Sequence, residues 1–196
     1  YYKGEYNPKD DKGFAPAPAH RLDRNTSGLV VFAKNLISLQ ELELLFKEKE
    51  DIKKEYQALV VGHLDGEKTI DAPLKKDINT GLVKVARDGK SALTRVKKVK
   101  YYGDFTLVNV QIFTGRTHQI RVHLASIGYP VAGDAKYGDF KVNKEFRDLY
   151  KFENQFLHAY KLTFGNLKGK LEYLSGKVFE SKLPDNEQKL LLKINN

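Results

Sequence analysis

The stretch TLVNVQIFTGRTHQIRVHLASIG, residues 106–128, changes its hydrophobic period partway along. Thr106-Leu107-Val108-Asn109-Val110 is dense in strand-forming residues and belongs to a β pattern that runs from Lys68 to Phe113. Beyond Thr114 the spacing switches: Ile120, Leu124 and Ile127 recur at helical intervals, with Thr117 placed to cap and Gly128 placed to stop the helix. A strand run that feeds directly into a helix argues for segregated rather than alternating elements.

Working outward supports the same class. Gly28-Leu29-Val30-Val31-Phe32-Ala33 predicts a short buried strand, and Tyr56–Val61 another, closed by Gly62. Ser38-Leu39-Gln40-Glu41 has capping-box spacing, which predicts a helix over about 37–49. Turns containing Asp88-Gly89 and Gly103-Asp104 divide the β region. A helix is expected at 143–151, strands at 156–164 and about 170–180, and a last helix opened by Pro184 and running to about 194. Residues 1–19, punctuated by Gly4, Pro8, Gly13, Pro16 and Pro18, predict an extended arm or loop. Strands mostly follow one another, so the expectation is an α+β fold, a mixed and largely antiparallel central sheet flanked by helices. No repeat and no second domain is visible.

Composition narrows the function. The 196 residues are 41% hydrophobic, enough for a core, and carry 34 Lys and Arg against 25 Asp and Glu, a net charge of +9. Between Lys84 and Arg121 nine basic residues face only Asp88 and Asp104. A concentrated field of that sign suits a polyanion, because neutralised phosphates release counterions. The absence of cysteine excludes disulfides, zinc–cysteine sites and thiol nucleophiles. No apolar run approaches the roughly 18 residues that a membrane span needs, so a cytoplasmic protein without membrane partners is expected.

Two segments concentrate polar chemistry. His20-Arg21-Leu22-Asp23-Arg24-Asn25-Thr26-Ser27-Gly28 crowds one carboxylate with two arginines, two hydroxyls and a histidine. Thr114-Gly115-Arg116-Thr117-His118-Gln119 opens a helix, where N-termini attract anions, and Arg121 lies one turn in, within reach of a carboxylate. Taken singly, such an Arg–Asp pair is most often a surface or capping interaction. Other chemistries fit poorly. His118 and His123 are five apart and fall on different helix faces, without an HExxH-like carboxylate. A glycosidase needs two opposed carboxylates, and only Asp23 stands out.

Four ordered blocks, HRLDRNTSGLVVFAK at 20–34, KEYQALVVG at 54–62, GRTHQIRVHLASIGYPVAGDAKYGD at 115–139 and FLHAYKLTF at 156–164, closely resemble the RluA family of RNA pseudouridine synthases. The resemblance covers roughly residues 14–190. It implies a pseudouridine synthase catalytic domain that isomerises uridine in structured RNA without cofactor or metal. Residue by residue it implies Asp23 as the catalytic carboxylate, acting as a nucleophile on the sugar or by deprotonating C2′. Arg121 would be its cationic partner, Tyr56 the ring against the base and candidate C5 base, and Leu124 would pack on the other side of the site. His20, Arg21, Arg24, Arg116, His118 and Gln119 are the candidates for RNA contact. The target base would be flipped out of its stack. Asp71-Ala72-Pro73-Leu74 and Gly89-Lys90-Ser91-Ala92-Leu93-Thr94 lean toward bacterial large-subunit rRNA, with tRNA as the alternative substrate and a monomer as the expected state. The rival class is a non-catalytic RNA-binding or ribosome-assembly protein on the same fold. The family's upstream Lys-Pro-x-Gly element and S4-type RNA-binding domain have no match among the 19 residues before His20, so an incomplete N-terminal end is expected.

Overall fold

The computed structural model describes residues 13–195. In chain order the strands and helices are β1 (Ala17–Pro18), β2 (Ser27–Gly28), β3 (Phe32–Ala33), α1 (Leu36–Glu48), β4 (Ile52–Val61), β5 (Glu67–Asp71), β6 (Leu74–Lys76), β7 (Val83–Val85), β8 (Leu93–Tyr102), β9 (Phe105–Ile112), α2 (Gln119–Ser126), α3 (Phe140–Tyr150), β10 (Leu157–Phe164), β11 (Val178–Glu180) and α4 (Asp185–Ile194). A 3₁₀ helix covers Gly169–Leu174. The expected α+β class holds. Among the described residues no helix is long and apolar enough to cross a membrane.

The chain folds as two compact units whose segments interleave. One comprises residues up to Leu22 together with Val30–Ile52 and Thr163–Val178; the other comprises Asp23–Leu29, Lys53–Leu162 and Phe179–Asn196. Because the chain passes between them repeatedly, no linker marks a boundary in the sequence. The expected extended arm falls partly on residues 1–12, outside the described residues; its end forms β1, which pairs antiparallel with β3.

In the first unit, α1 begins at Leu36 and is capped by Asn35, whose side chain accepts from the Ser38 backbone N–H at 2.8 Å. Ser38, expected as the cap, already lies inside the helix. Asn35 has the extended backbone that a cap requires, and its side-chain oxygen satisfies one of the orphan donors. The inner face is carried by Leu42 and Phe46, one turn apart. The strand expected at about 170–180 is instead the 3₁₀ helix followed by the three-residue β11. The Ser175 hydroxyl clamps both the N–H and the carbonyl of Leu167, and Gly176 turns with φ +68°, so the segment curls locally before any ladder forms.

The second unit contains most of a sheet ordered β11-β10-β4-β9-β8-β5, with β2 added parallel to β10. β4 and β9 pair antiparallel from Lys54↔Ile112 to Val61↔Phe105, which sets Tyr56 opposite Val110. β8 and β9 form a hairpin closed at Gly103, with an irregularity between Lys98 and Lys100. A small β6–β7 hairpin stands off the main sheet. Phe146 of α3 and Leu190 and Leu191 of α4 pack with Leu59, Leu107, Phe152 and Phe156 into the core. α3 starts three residues before the predicted 143 because Asp139 caps it, accepting from the N–H groups of Lys141 and Val142.

The run 28–33 is not one buried strand. Gly28 has φ +115°, and a Cβ there would sit 2.3 Å from the Ala159 carbonyl oxygen, so the chain turns out of β2 where only glycine fits. Val30 and Phe32 are exposed, and β3 pairs elsewhere.

Candidate active site

The second unit brings Asp23, Tyr56, His118 and Arg121 together. Asp23 opens a tight turn in which the Thr26 N–H donates to its carbonyl at 3.0 Å. Asn25 adopts a left-handed conformation with φ +67°, which asparagine tolerates better than most residues. Gln155 pins the turn by donating from Nε2 to the Arg24 carbonyl at 2.6 Å. The Asp23 side chain keeps 27% of its surface exposed.

Arg121 lies on α2 with only 6% of its side chain exposed. Its Nε and Nη2 donate to Asp134 Oδ2 and Oδ1 at 2.6 and 2.7 Å, a two-pronged pair. Its guanidinium carbon stands 5.2 Å from the centre of the Tyr137 ring. With both sides occupied, the remaining Nη1 is directed to Asp23 Oδ2, 3.5 Å away. Asp134 is fully buried, and its Oδ1 also accepts from the Lys136 and Tyr137 N–H groups. Burial pushes the Asp134 carboxyl up, but Arg121 and these N–H donors outweigh it and hold the group below the usual range. Burial works against the Arg121 charge as well, and Asp134 more than restores it.

The Gly133-Asp134-Ala135-Lys136-Tyr137-Gly138-Asp139 segment thus builds the cradle for Arg121. Gly133 has φ +77°, and a Cβ there would meet the Asn154 carbonyl oxygen at 2.1 Å. The segment falls within the sequence block at 115–139, where nothing local gives Asp134 or Tyr137 a role beyond the density of Gly, Asp and Tyr.

Tyr56 is buried in the middle of β4. Burial, and then the negative charge of Asp23, push its phenol well above the ordinary value. At neutral pH the hydroxyl is therefore un-ionised, which suits a stacking or hydrogen-bonding ring better than a phenolate base. His118 caps α2 with φ +54°, and its Nδ1 lies 2.8 Å from the Tyr137 hydroxyl. Burial lowers its pKa, the Asp23 charge opposing. The predicted Thr117 cap is not made; α2 has no side-chain cap at its first turn.

Two expectations change. Gln119 is buried, and its amide is consumed internally: Oε1 accepts from the Thr114 hydroxyl and the Arg116 N–H, and Nε2 donates to Leu93 O and Thr94 Oγ1. It braces the loop before α2 rather than facing RNA. Leu124 is wholly buried and offers no surface to a base. Arg24 and Arg116 are exposed, Arg116 tethered through Nε to the Ser91 carbonyl at 2.9 Å. His20 and Arg21 belong to the first unit, where His20 accepts the Val31 N–H and stacks on Phe46.

A cleft of about 480 Å³ lies between the β6–β7 hairpin and the loop before α2, lined by Lys75, Lys76, Lys90 and Arg116 with Asp88 opposing. Its walls include none of Asp23, Tyr56 and Arg121. Among the described residues no group of three or more His, Asp or Glu is placed to hold a metal ion.

The family model for RNA pseudouridylate synthase matches residues 1–126. The chain is 41% identical over 146 residues to ribosomal large subunit pseudouridine synthase C of Vibrio cholerae, covering 74% of this chain and 46% of that protein. It is 38% identical over 197 residues to ribosomal large subunit pseudouridine synthase D of Buchnera aphidicola, covering 96% and 62%. The chain therefore spans about half the length of the curated relatives it matches. Among solved structures, human RNA pseudouridylate synthase domain containing 1 superposes with a TM-score of 0.66 at 27% identity, over 90% of this chain and 80% of that one. Human RNA pseudouridylate synthase domain containing 4 shares the fold, with a TM-score of 0.74 at 24% identity over 94% and 77%. With the family model matched over well more than half its length, the chain belongs to the RNA pseudouridylate synthase family, in the RluA branch that its four sequence blocks resemble.

Proposed function

We propose that this chain isomerises uridine to pseudouridine in structured RNA, with bacterial large-subunit rRNA in the cytoplasm as its substrate. The observation that carries the reading is a partly exposed carboxylate, Asp23, facing a guanidinium that Asp134 and Tyr137 immobilise. A flipped-out uridine would enter beside Tyr56. Asp23 supplies the carboxylate, by attack at C1′ or by removal of the C2′ proton, while the C1′–N1 bond breaks. The uracil turns, C5 bonds to C1′, C5 gives up its proton, and N1 ends protonated. Nothing is added or lost, so no co-reactant is required. The names of the Vibrio and Buchnera relatives support the rRNA substrate.

The test is nucleoside mass spectrometry of unmodified large-subunit rRNA transcript incubated with the chain, with Asp23→Ala beside it. Pseudouridine formed by the intact chain alone is the expected result. Pseudouridine formed equally by Asp23→Ala would overturn the assignment of Asp23, and none from either would overturn the rRNA substrate.

A further inference from the structure

Four residues beyond Asp23, its loop is tied through the half-buried Ser27 to two buried side chains. Ser27 on β2 pairs in parallel register with His158 on β10, and its Oγ lies 2.8 Å from His158 Nδ1. The same Oγ lies 3.4 Å from Oε1 of Glu187 on α4. His158 Nε2 lies 3.1 Å from the Ser181 carbonyl oxygen. His158 and Glu187 are 1% and 4% exposed, and Oε2 of Glu187 has no hydrogen-bond partner. None of these groups takes part in the chemistry proposed above.

The protons in this network can be counted. A carbonyl oxygen only accepts, so His158 Nε2 carries a hydrogen. In a neutral ring Nδ1 is then an acceptor and takes the Ser27 hydroxyl proton. Ser27 has no second proton, so toward Glu187 it can only accept, and the carboxyl must be the donor. Ionise Glu187 and the Ser27 hydroxyl turns to it, stripping His158 Nδ1 of its donor. The alternative, an imidazolium with a carboxylate, keeps every bond but buries two charges. Burial lowers the His158 pKa against the pull of the Ser181 carbonyl, and pushes Glu187 up to about 7 even against a Ser27 hydrogen bond to its carboxylate, so both disfavour that form. The groups facing the carboxyl are Ser27 from β2 and, through it, His158 from β10; among the described residues no charged side chain adds to the shift.

We propose that Ser27, His158 and Glu187 are positioning residues for Asp23, forming a latch in which protonated Glu187 orients the Ser27 hydroxyl onto His158 and so fixes the loop that carries the reactive carboxylate. The latch supplements two backbone anchors of the same loop: Leu29 N–H donates to the Ala159 carbonyl at 2.9 Å, and Gly28 lies against Ala159. The sign follows from the raised pKa. The contribution of Glu187 is complete below its unfolded value near 4.5 and is lost as pH rises through about 7.

This role rests on the pseudouridine synthase reading, and the test separates the two. Carboxyl ¹³C NMR of the chain should show one glutamate titrating near pH 7, absent from Glu187→Gln, and ¹⁵N NMR should show His158 as the neutral Nε2–H tautomer. A Glu187 carboxyl titrating in the ordinary range would overturn the latch whether or not the chain acts on RNA. In single-turnover assays the wild-type rate should fall severalfold between pH 7 and 9. Glu187→Gln, which donates but cannot ionise, should keep most of the neutral rate and lose that decline. Ser27→Ala should lower kcat about tenfold with the KM for RNA unchanged. An unaltered kcat in Ser27→Ala, or the same alkaline decline in Glu187→Gln, would overturn the positioning role. If no variant or wild type forms pseudouridine, the reaction fails while the two NMR results still decide the latch.

Discussion

The two polar segments meet at one ion pair and are built in opposite ways. On the Asp23 side, a turn held by backbone hydrogen bonds presents a carboxylate that is 27% exposed and makes a single long contact to Arg121. On the Arg121 side, the guanidinium and Asp134 are 6% and 0% exposed and share two short hydrogen bonds. The carboxylate proposed to meet substrate is accessible, while its partner is locked so that one nitrogen can aim only one way. The contrast separates function from stability: removing the open member should cost activity, and removing a closed member should cost the fold as well.

Asp23→Asn is the sharpest break. It removes the carboxylate proposed to react, so pseudouridine formation should drop at least about a thousandfold, while thermal unfolding moves little, because the side chain is partly solvated and weakly bonded. A large loss of melting temperature would show Asp23 to be part of the structural pair after all. Asp134→Ala tests the other side. Leaving a buried guanidinium without its partner costs about 3–5 kcal/mol, which for a chain of this size lowers the melting temperature by roughly 10 °C. The Asp134 carboxyl is held below its ordinary value, so its contribution is present at neutral pH and disappears as pH falls through that depressed value. Asp134→Asn should therefore lose stability less steeply than wild type as pH falls below about 4, measured by thermal melts.

How far the site could be read from the chain follows the same divide. Asp23, Tyr56 and Arg121 sit in recognisable blocks, and the period change near Thr114 placed the helix carrying Arg121. The cradle was harder: Asp134 is thirteen residues from Arg121, and only the folded loop shows that its carboxylate takes the guanidinium. Ser27 is more than a hundred residues from both His158 and Glu187, with nothing local to link them. Elements failed where neighbours decide. The apolar run 28–33 does not say that Gly28 must clear Ala159, and 170–180 does not reveal the Ser175 clamp on Leu167. Gln119 looked like a surface contact because two of its four internal hydrogen-bond partners, Leu93 and Thr94, lie about 25 residues upstream on β8 and only the fold brings them to it.

Tyr56, buried in β4 within reach of the Asp23 charge, should show an intermediate effect. Its phenol is kept un-ionised by burial and by the Asp23 charge, so a ring without the hydroxyl should still support turnover. Tyr56→Phe should lower the rate about tenfold, the size of one lost hydrogen bond, and Tyr56→Ala should lower it further. A wild-type rate climbing tenfold per pH unit between 8 and 10 would instead assign the C5 proton to the ionised phenol.

The smallest effects belong to charges outside the pair. Arg24 and Arg116 are exposed members of the two segments, and Arg116, tethered to the Ser91 carbonyl, also lines the basic cleft. If each contacts one phosphate, Arg24→Ala and Arg116→Ala should each weaken RNA binding a fewfold and reduce the slope of log affinity against log salt by about 0.9. Single-turnover rates at saturating RNA should stay near wild type, because neither residue touches the Asp23 carboxylate. Filter binding from 50 to 200 mM salt measures the slope. An affinity loss with an unchanged slope would mean that the arginine holds the Ser91 loop in shape and leaves the phosphates to other cations.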